Sequence, residues 1–254
     1  MSPPPLLAAC CFLLGCSPLG AAPSAAFDQA NRQFAAGDYA AAAAAYEQAL
    51  AADGPRAAVF YNLGNSYQRL GRTGPAILAY ERARLLAPRD PDLLANLALA
   101  RKAAAAFEDS DRHPLVEVAL NYLSRNEWSW LVTGSALALG GLALLGGVLR
   151  RGPRLAVGVT AGLASVALAL GGSALYLRRA EANQGIVLSE AATVRLSPFA
   201  TAEALGTPGP GRIVRLGGQT GDFYYIEVPG ANLRGWMARK DVAAITPESA
   251  GNIP

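Results

Sequence analysis

Residues equipped for chemistry are few in this chain. Its one histidine, His113, precedes Pro114 in the polar stretch "FEDSDRHP", where a solvated loop accounts for it better than a role as base or ligand. Cys10, Cys11 and Cys16 all lie near the start, so beyond them there is no thiol nucleophile, disulfide framework or cysteine metal site. Glu108, Asp109 and Asp111 share the histidine's stretch and read as a charged, solvated linker. No Gly-Lys-Ser/Thr phosphate loop and no metal-ligand spacing occurs. No catalytic residue, metal or cofactor is therefore expected, and the chain is expected not to be an enzyme. What remains is binding chemistry. Asn31, Asn62, Asn65 and Asn96 each carry a donor and an acceptor, and Tyr224, Tyr225 and Trp236 offer ring faces.

The elements that position these residues follow from composition and period. Hydrophobic residues make up 52% of the 254 and charged residues only 16%, too apolar for a wholly solvated globule. The formal charge of +3 gathers beside apolar runs: between Arg150 and Arg179 there are five arginines and no acid. A nucleic-acid binder would spread such charge over a soluble face with interleaved aromatics, so that class is excluded. Residues 1–26 read as a signal peptide, with an apolar run from Leu6 to Gly15 and small residues up to Ser24-Ala25-Ala26. Leu13-Leu14-Gly15-Cys16 also resembles a bacterial lipobox, which would make Cys16 a lipidated N-terminus instead.

Shifting the chain by 34 residues superposes Ala30 on Gly64, Phe34 on Gln68, Gly37 on Gly71, Ala42 on Ala76, Tyr46 on Tyr80 and Ala49 on Ala83, without a gap. Small residues at the paired positions let two helices approach, tyrosines and leucines fill the space between, and the glycines turn the chain. This period, with "NLGNSYQRLG" before "AILAYERARLLAP", resembles the tetratricopeptide repeat. A third copy starts at Pro91 and then loses the pattern, which predicts a single capping helix and a repeat region over 27–107.

The resemblance implies a concave groove, lined by the first helix of each hairpin, that takes a partner peptide. Mapped residue by residue, Asn31, Asn62, Asn65 and Asn96 fall on groove-facing positions and could hold a peptide main chain. A capping or hydrating role for them stands beside that reading. Carboxylate-clamp members add lysine and arginine; Phe27, Asp92 and Asn96 occupy those positions here, so a clamp is not expected.

Residues 108–130 are expected to form a linker and an interfacial helix, with Trp128 and Trp130 at headgroup level. The uncharged runs 131–149 and 155–177 are each long enough to cross a bilayer, and the turn 150–154 makes them an antiparallel hairpin. Small residues at Ala136, Gly140, Ala143 and Gly147, and at Gly158, Gly162, Ser165, Ala169 and Gly172, predict the contact face. Neither run holds a charge, which argues against transport. Arg150, Arg151 and Arg154 favour a cytoplasmic turn by density, although Arg125, Arg178 and Arg179 match them in number across the bilayer.

From Gly185 the texture changes to short alternating runs, "GIVLS", "ATVRLSP", "RIVRLG", "DFYYIEV", "RGWMAR" and "VAAI", which predict a small antiparallel barrel over 185–247, with a disordered tail over 248–254. Their order, with Gly235-Trp236, resembles the bacterial SH3-like (SH3b) domain. That resemblance implies a binding module outside the cytoplasmic membrane, and Tyr224, Tyr225 and Trp236 would be its surface aromatics; a plain core role for Phe223, Ile226, Val228 and Trp236 stands beside that reading. Alternation along the strand puts Phe223 and Tyr225 on one face and Tyr224 on the other.

The full order, an exported N-terminus, repeats ending in "DPDLLANLALAR", a Trp-flanked hairpin and an SH3b-like module, is similar to BatE-type proteins of bacterial aerotolerance operons. That family implies partners among von Willebrand factor A membrane proteins and a MoxR-type ATPase system, and no known reaction. The chain is thus expected to be a multi-domain membrane protein in the bacterial cytoplasmic membrane. It would be two-pass, with all-α repeats and a small all-β barrel both on the extracytoplasmic side, and would act as a scaffold. A peptidoglycan-binding anchor or sensor is the alternative.

Overall fold

A computed structural model describes residues 25–104, 114–148 and 154–246. Five helices come first: α1 (Ala25–Ala35), α2 (Tyr39–Asp53), α3 (Ala57–Arg69), α4 (Thr73–Leu86) and α5 (Pro91–Ala103). The predicted turns hold, since Gly37 and Gly71 have φ of 81° and 71°, a region where only glycine sits without strain. At Gly64 a Cβ would stand 2.6 Å from the Tyr80 ring, so the hairpin α3–α4 closes because the side chain is missing. Ala30, Ala42, Ala49, Ala76 and Ala83 are likewise buried, with Tyr46 and Tyr80 filling the space between the pairs. α5 is the predicted capping helix, started by Asp90, whose carboxylate accepts from the N–H groups of Asp92 and Leu93 at 3.1 Å.

A buried charge locks α5 to α4. Glu81 is wholly buried and accepts from Arg84 Nε at 3.0 Å and from Arg101 of α5. Burial alone would raise its carboxyl, but the two guanidiniums outweigh burial and hold it below the ordinary range.

The next three helices are α6 (Pro114–Tyr122), α7 (Arg125–Val148) and α8 (Arg154–Ala182). α7 starts earlier than the uncharged run, which puts Trp128 and Trp130 inside the helix instead of ahead of it. The cause is a capping box: Glu127 N–H donates to Ser124 Oγ at 3.2 Å, and Ser124 N–H donates to the Glu127 carboxylate at 2.7 Å. α6 is tied to both long helices through one carbonyl, Leu120 O, which accepts from Trp128 Nε1 at 3.1 Å and from Arg178 Nη2 at 2.7 Å.

α7 and α8 pack on each other, though not through the predicted stripe. A Cβ at Gly140, Gly158, Gly162 or Gly172 would meet nothing within 4 Å, whereas one at Gly171 would lie 2.7 Å from Val132 Cγ2. The contact face of α8 runs through Ala164, Gly171 and Ala174, a neighbouring stripe with the same helical spacing. Among the described residues, Val157–Arg179 is the helix long and apolar enough to cross a membrane, with mean hydropathy 1.6, and it is not a core helix, since 11% of it is buried. Val159, Leu163, Val166 and Leu170 stand exposed along it.

The remaining residues form one antiparallel sheet: β1 (Gln184–Val187), β2 (Val194–Arg195), β3 (Ala204–Gly206), β4 (Ile213–Thr220), β5 (Phe223–Val228), β6 (Leu233–Ala238) and β7 (Val242–Ala244), in the order β3-β2-β6-β5-β4-β1-β7. Every predicted run supplies a strand, and β3 is additional. The closed barrel is corrected to an open sheet: among the described residues β3 and β7 are its two edges and do not pair. β3 is only three residues long, and the β1–β7 end is turned onto α4 instead of onto β3. Ile186 and Ile245, fully buried, belong to the same apolar core as Ile77 of α4, with Leu188, Ile213 and Ala243 packed around them. Arg82 of α4 donates to the carbonyls of Ala244 at 2.9 Å and Ile245 at 3.2 Å.

Candidate functional site

The four asparagines come together on the first helices of the hairpins, and they do so in pairs. Asn62 Nδ2 of α3 donates to Asn31 Oδ1 of α1 at 3.2 Å; one period later, Asn96 Nδ2 of α5 donates to Asn65 Oδ1 of α3 at the same distance. Each accepting oxygen also accepts a hydrogen bond from the tyrosine of the adjoining second helix. Tyr46 Oη donates to Asn31 Oδ1 at 2.6 Å and Tyr80 Oη to Asn65 Oδ1 at 2.7 Å. Tyr80 Oη also lies 2.6 Å from Gln68 Oε1. A phenol has one proton to give, so the Asn65 and Gln68 oxygens share it. Tyr61 Oη accepts from Asn96 at 2.9 Å.

The phenols act as proton donors at neutral pH. Burial raises Tyr46, moderated by its hydrogen bond with Asn62, and burial and the neighbouring Tyr61 raise Tyr80. Tyr67 is pushed up to about 12 by burial and by its bond to Glu47. Kept protonated, Tyr46 and Tyr80 fix which end of Asn31 and Asn65 faces inward. No hydrogen bond among the described residues uses Nδ2 of Asn31 or Asn65, or Oδ1 of Asn62 or Asn96. The half-buried ladder therefore keeps an amide donor and an amide acceptor at each of two steps. Phe27 instead packs toward Tyr46, ring centroids 5.9 Å apart, and Asp92 is exposed in the first turn of α5, so no cation stands at the clamp positions.

The three sheet aromatics do not share a face. Tyr224 is 4% exposed, in the core beside Ile226 and Met237, with Arg239 5.6 Å above its ring, so its expected surface role is corrected. Tyr225 and Trp236 are opposite each other on β5 and β6, their rings edge to face at 5.4 Å, and Tyr225 is 36% exposed. Alternation was the signal for this split. Cys16, His113, Glu108, Asp109 and Asp111 lie outside the described residues, as do 1–24, the turn residues 149–153 and the tail 247–254. Among the described residues no cluster of metal-ligating side chains occurs.

The sequence reading missed Gln68 and Tyr61 in the ladder. The first could have been found from its place one period after Phe34, where an apolar residue gives way to an amide.

The geometry is that of stacked helix hairpins with a polar ladder along their first helices, and a family model agrees: the tetratricopeptide repeat matches residues 57–90. That span runs from the start of α3 through α4 to the residue before α5. No curated protein and no solved structure matches the chain.

Proposed function

We propose that this protein is a non-enzymatic, membrane-anchored adaptor whose repeat groove holds an extended segment of a partner protein through main-chain hydrogen bonds. The observation that carries this reading is the paired amide ladder on a matched repeat: Asn31 with Asn62 and Asn65 with Asn96, each pair keeping one unused donor and one unused acceptor. An amide that offers both functions suits a peptide backbone, whose N–H and C=O alternate, and is indifferent to side chains. Anchoring is supported by the exposed apolar face of α8 and by Leu137 and Leu144, exposed at a seven-residue spacing on α7. Two passes over 131–149 and 155–177 are the reading of two uncharged runs joined by a short turn, and the arginine density of that turn with the signal-like N-terminus favours both soluble parts lying outside the cytoplasm. The BatE-type resemblance supplies the partner class, von Willebrand factor A membrane proteins and a MoxR-type ATPase system.

Capture from solubilised membranes with the intact protein, beside Asn62→Ala and Asn96→Ala, tests the reading. A membrane or envelope protein held by the wild type and weakened about 3- to 10-fold by each variant is the expected result, at about 1 kcal/mol per hydrogen bond. Equal capture by all three chains, or no such partner, refutes it. The Tyr225–Trp236 pair, Tyr225 exposed and Trp236 half-buried against it, favours a second reading, a peptidoglycan-binding anchor or sensor with an SH3b-like module. Co-sedimentation of the full chain with purified sacculi that Trp236→Ala abolishes would establish it; no sedimentation removes it.

A further inference from the structure

We infer that the C-terminal sheet is the outer layer of the repeat stack: it takes the place of a further helix against α4, so that repeats and sheet fold as one body and stand on the same side of the membrane. The stack ends irregularly, since α5 stands as the first helix of a third hairpin with no second helix packed on it among the described residues. Against the second helix of the preceding hairpin lies the sheet.

Three features distinguish this contact from a chance touch between lobes. First, its central apolar residues are buried and come from both partners, Ile77 from α4, Ile186 from β1 and Ile245 just after β7. Second, the backbones themselves approach: a Cβ at Gly74, in the first turn of α4, would stand 2.5 Å from Val187 O and 2.7 Å from Leu188 Cα, so any larger residue forces one lobe to shift. On the other lobe a Cβ at Gly211, which has φ of 82°, would clash with Ile77 Cδ1, with Ala104 in ordinary contact at 3.4 Å. Third, polar groups at the seam are matched. Arg82, half-buried, is spanned over two carbonyls at the free edge of β7, where unpaired carbonyls would otherwise be exposed. Where the seam turns charged it opens, into a cleft of ≈390 Å³ between Arg72 and Lys240.

Two consequences follow. The groove and the Tyr225–Trp236 face are held in fixed relation, as one receptor instead of two modules on a string. And because one body is built from chain on both sides of α7 and α8, whatever crosses the membrane between residues 105 and 183 must cross an even number of times. This holds whether or not the groove takes a peptide, and whichever side the body occupies.

Ala52→Cys and Thr207→Cys, at exposed positions of α2 and of the loop after β3, are introduced singly into the full chain in cells. Each is treated with a membrane-impermeant maleimide before and after permeabilisation, and compared with the parent chain. Labelling of both in intact cells is the expected result. Protection of both upholds the single body while refuting the extracytoplasmic placement; labelling of one alone overturns the inference. Hydrogen exchange on the detergent-solubilised full chain supplies the second arm. Gly74→Val and Arg82→Met should each speed exchange of the β1 and β7 amides at least tenfold and leave β5 and β6 unchanged. Unchanged β1 and β7 in both variants overturns it.

Discussion

The buried carboxylate of Glu81 offers the most exposing test of the repeat core. Replacing it by Gln removes the charge between Arg84 and Arg101 without changing the volume, leaving two guanidiniums, each less than one-fifth exposed, without their shared counter-ion. Breaking a buried pair from one side costs about 3 to 5 kcal/mol, and since glutamine keeps one acceptor the lower end, about 3 kcal/mol, applies. For a folded body of this size 1 kcal/mol moves the midpoint by about 2 to 4 °C, so thermal unfolding at pH 7 should fall by roughly 10 °C. The pH dependence fixes the cause. Glu81's folded value is depressed, so its contribution is fully present above the unfolded value of about 4.3 and is lost as pH falls through the folded one. The gap between wild type and Glu81→Gln, followed by circular dichroism, should therefore stay level from pH 8 to 5 and narrow below about pH 4. A midpoint loss under about 3 °C, or a gap that persists undiminished to pH 3, would refute the argument.

Other perturbations probe the remaining elements. Ile77→Ala, at the centre of the seam, should cost about 2 to 5 kcal/mol in urea unfolding, because the cavity opens between two backbones that cannot close in. Tyr224→Ala should lose about 3 to 5 kcal/mol, whereas Tyr225→Ala should stay within about 1 kcal/mol, a contrast in denaturant midpoints that tests which face of β5 is solvated. Ser124→Ala removes one arm of the capping box and should lower the helicity of the first turn of α7 at a cost of about 1 kcal/mol, visible as faster amide exchange at Glu127 and Trp128.

The repeats were legible because their signal is redundant: Ala30, Ala42 and Tyr46 each recur one period on, so a single mismatch such as Phe34 against Gln68 does not break the pattern. The groove asparagines were legible only as positions. That Asn31 and Asn65 accept from Tyr46 and Tyr80 depends on which way a carboxamide turns, and sequence spacing is silent on that. The sheet's strands could be read from alternation, as the opposite fates of Tyr224 and Tyr225 show, but its openness could not. Closure is decided by what meets the β1–β7 edge, and α4 lies about a hundred residues or more away along the chain. Gly74 carries no local signal of its role, since its missing side chain serves an approach by Val187 and Leu188 from the far end of the chain. Small residues in α7 and α8 misled for a related reason, since in a chain this rich in alanine and glycine several stripes satisfy the same spacing and packing selects the one through Gly171.

The seam on α4 also reverses the usual description of such a chain. The segment from α6 to α8 is, by connectivity, an insertion: a long detour within the inferred single body, whose two halves, residues 25–104 and 184–246, share an apolar core. In the proposed membrane arrangement the domain cannot close until that detour has returned to the side it left, so completing the fold reports that insertion has succeeded. A fragment cut after α5 would carry Ile77 bare and Arg82 without its carbonyls, which makes the whole chain, and not the repeat alone, the smallest unit to purify.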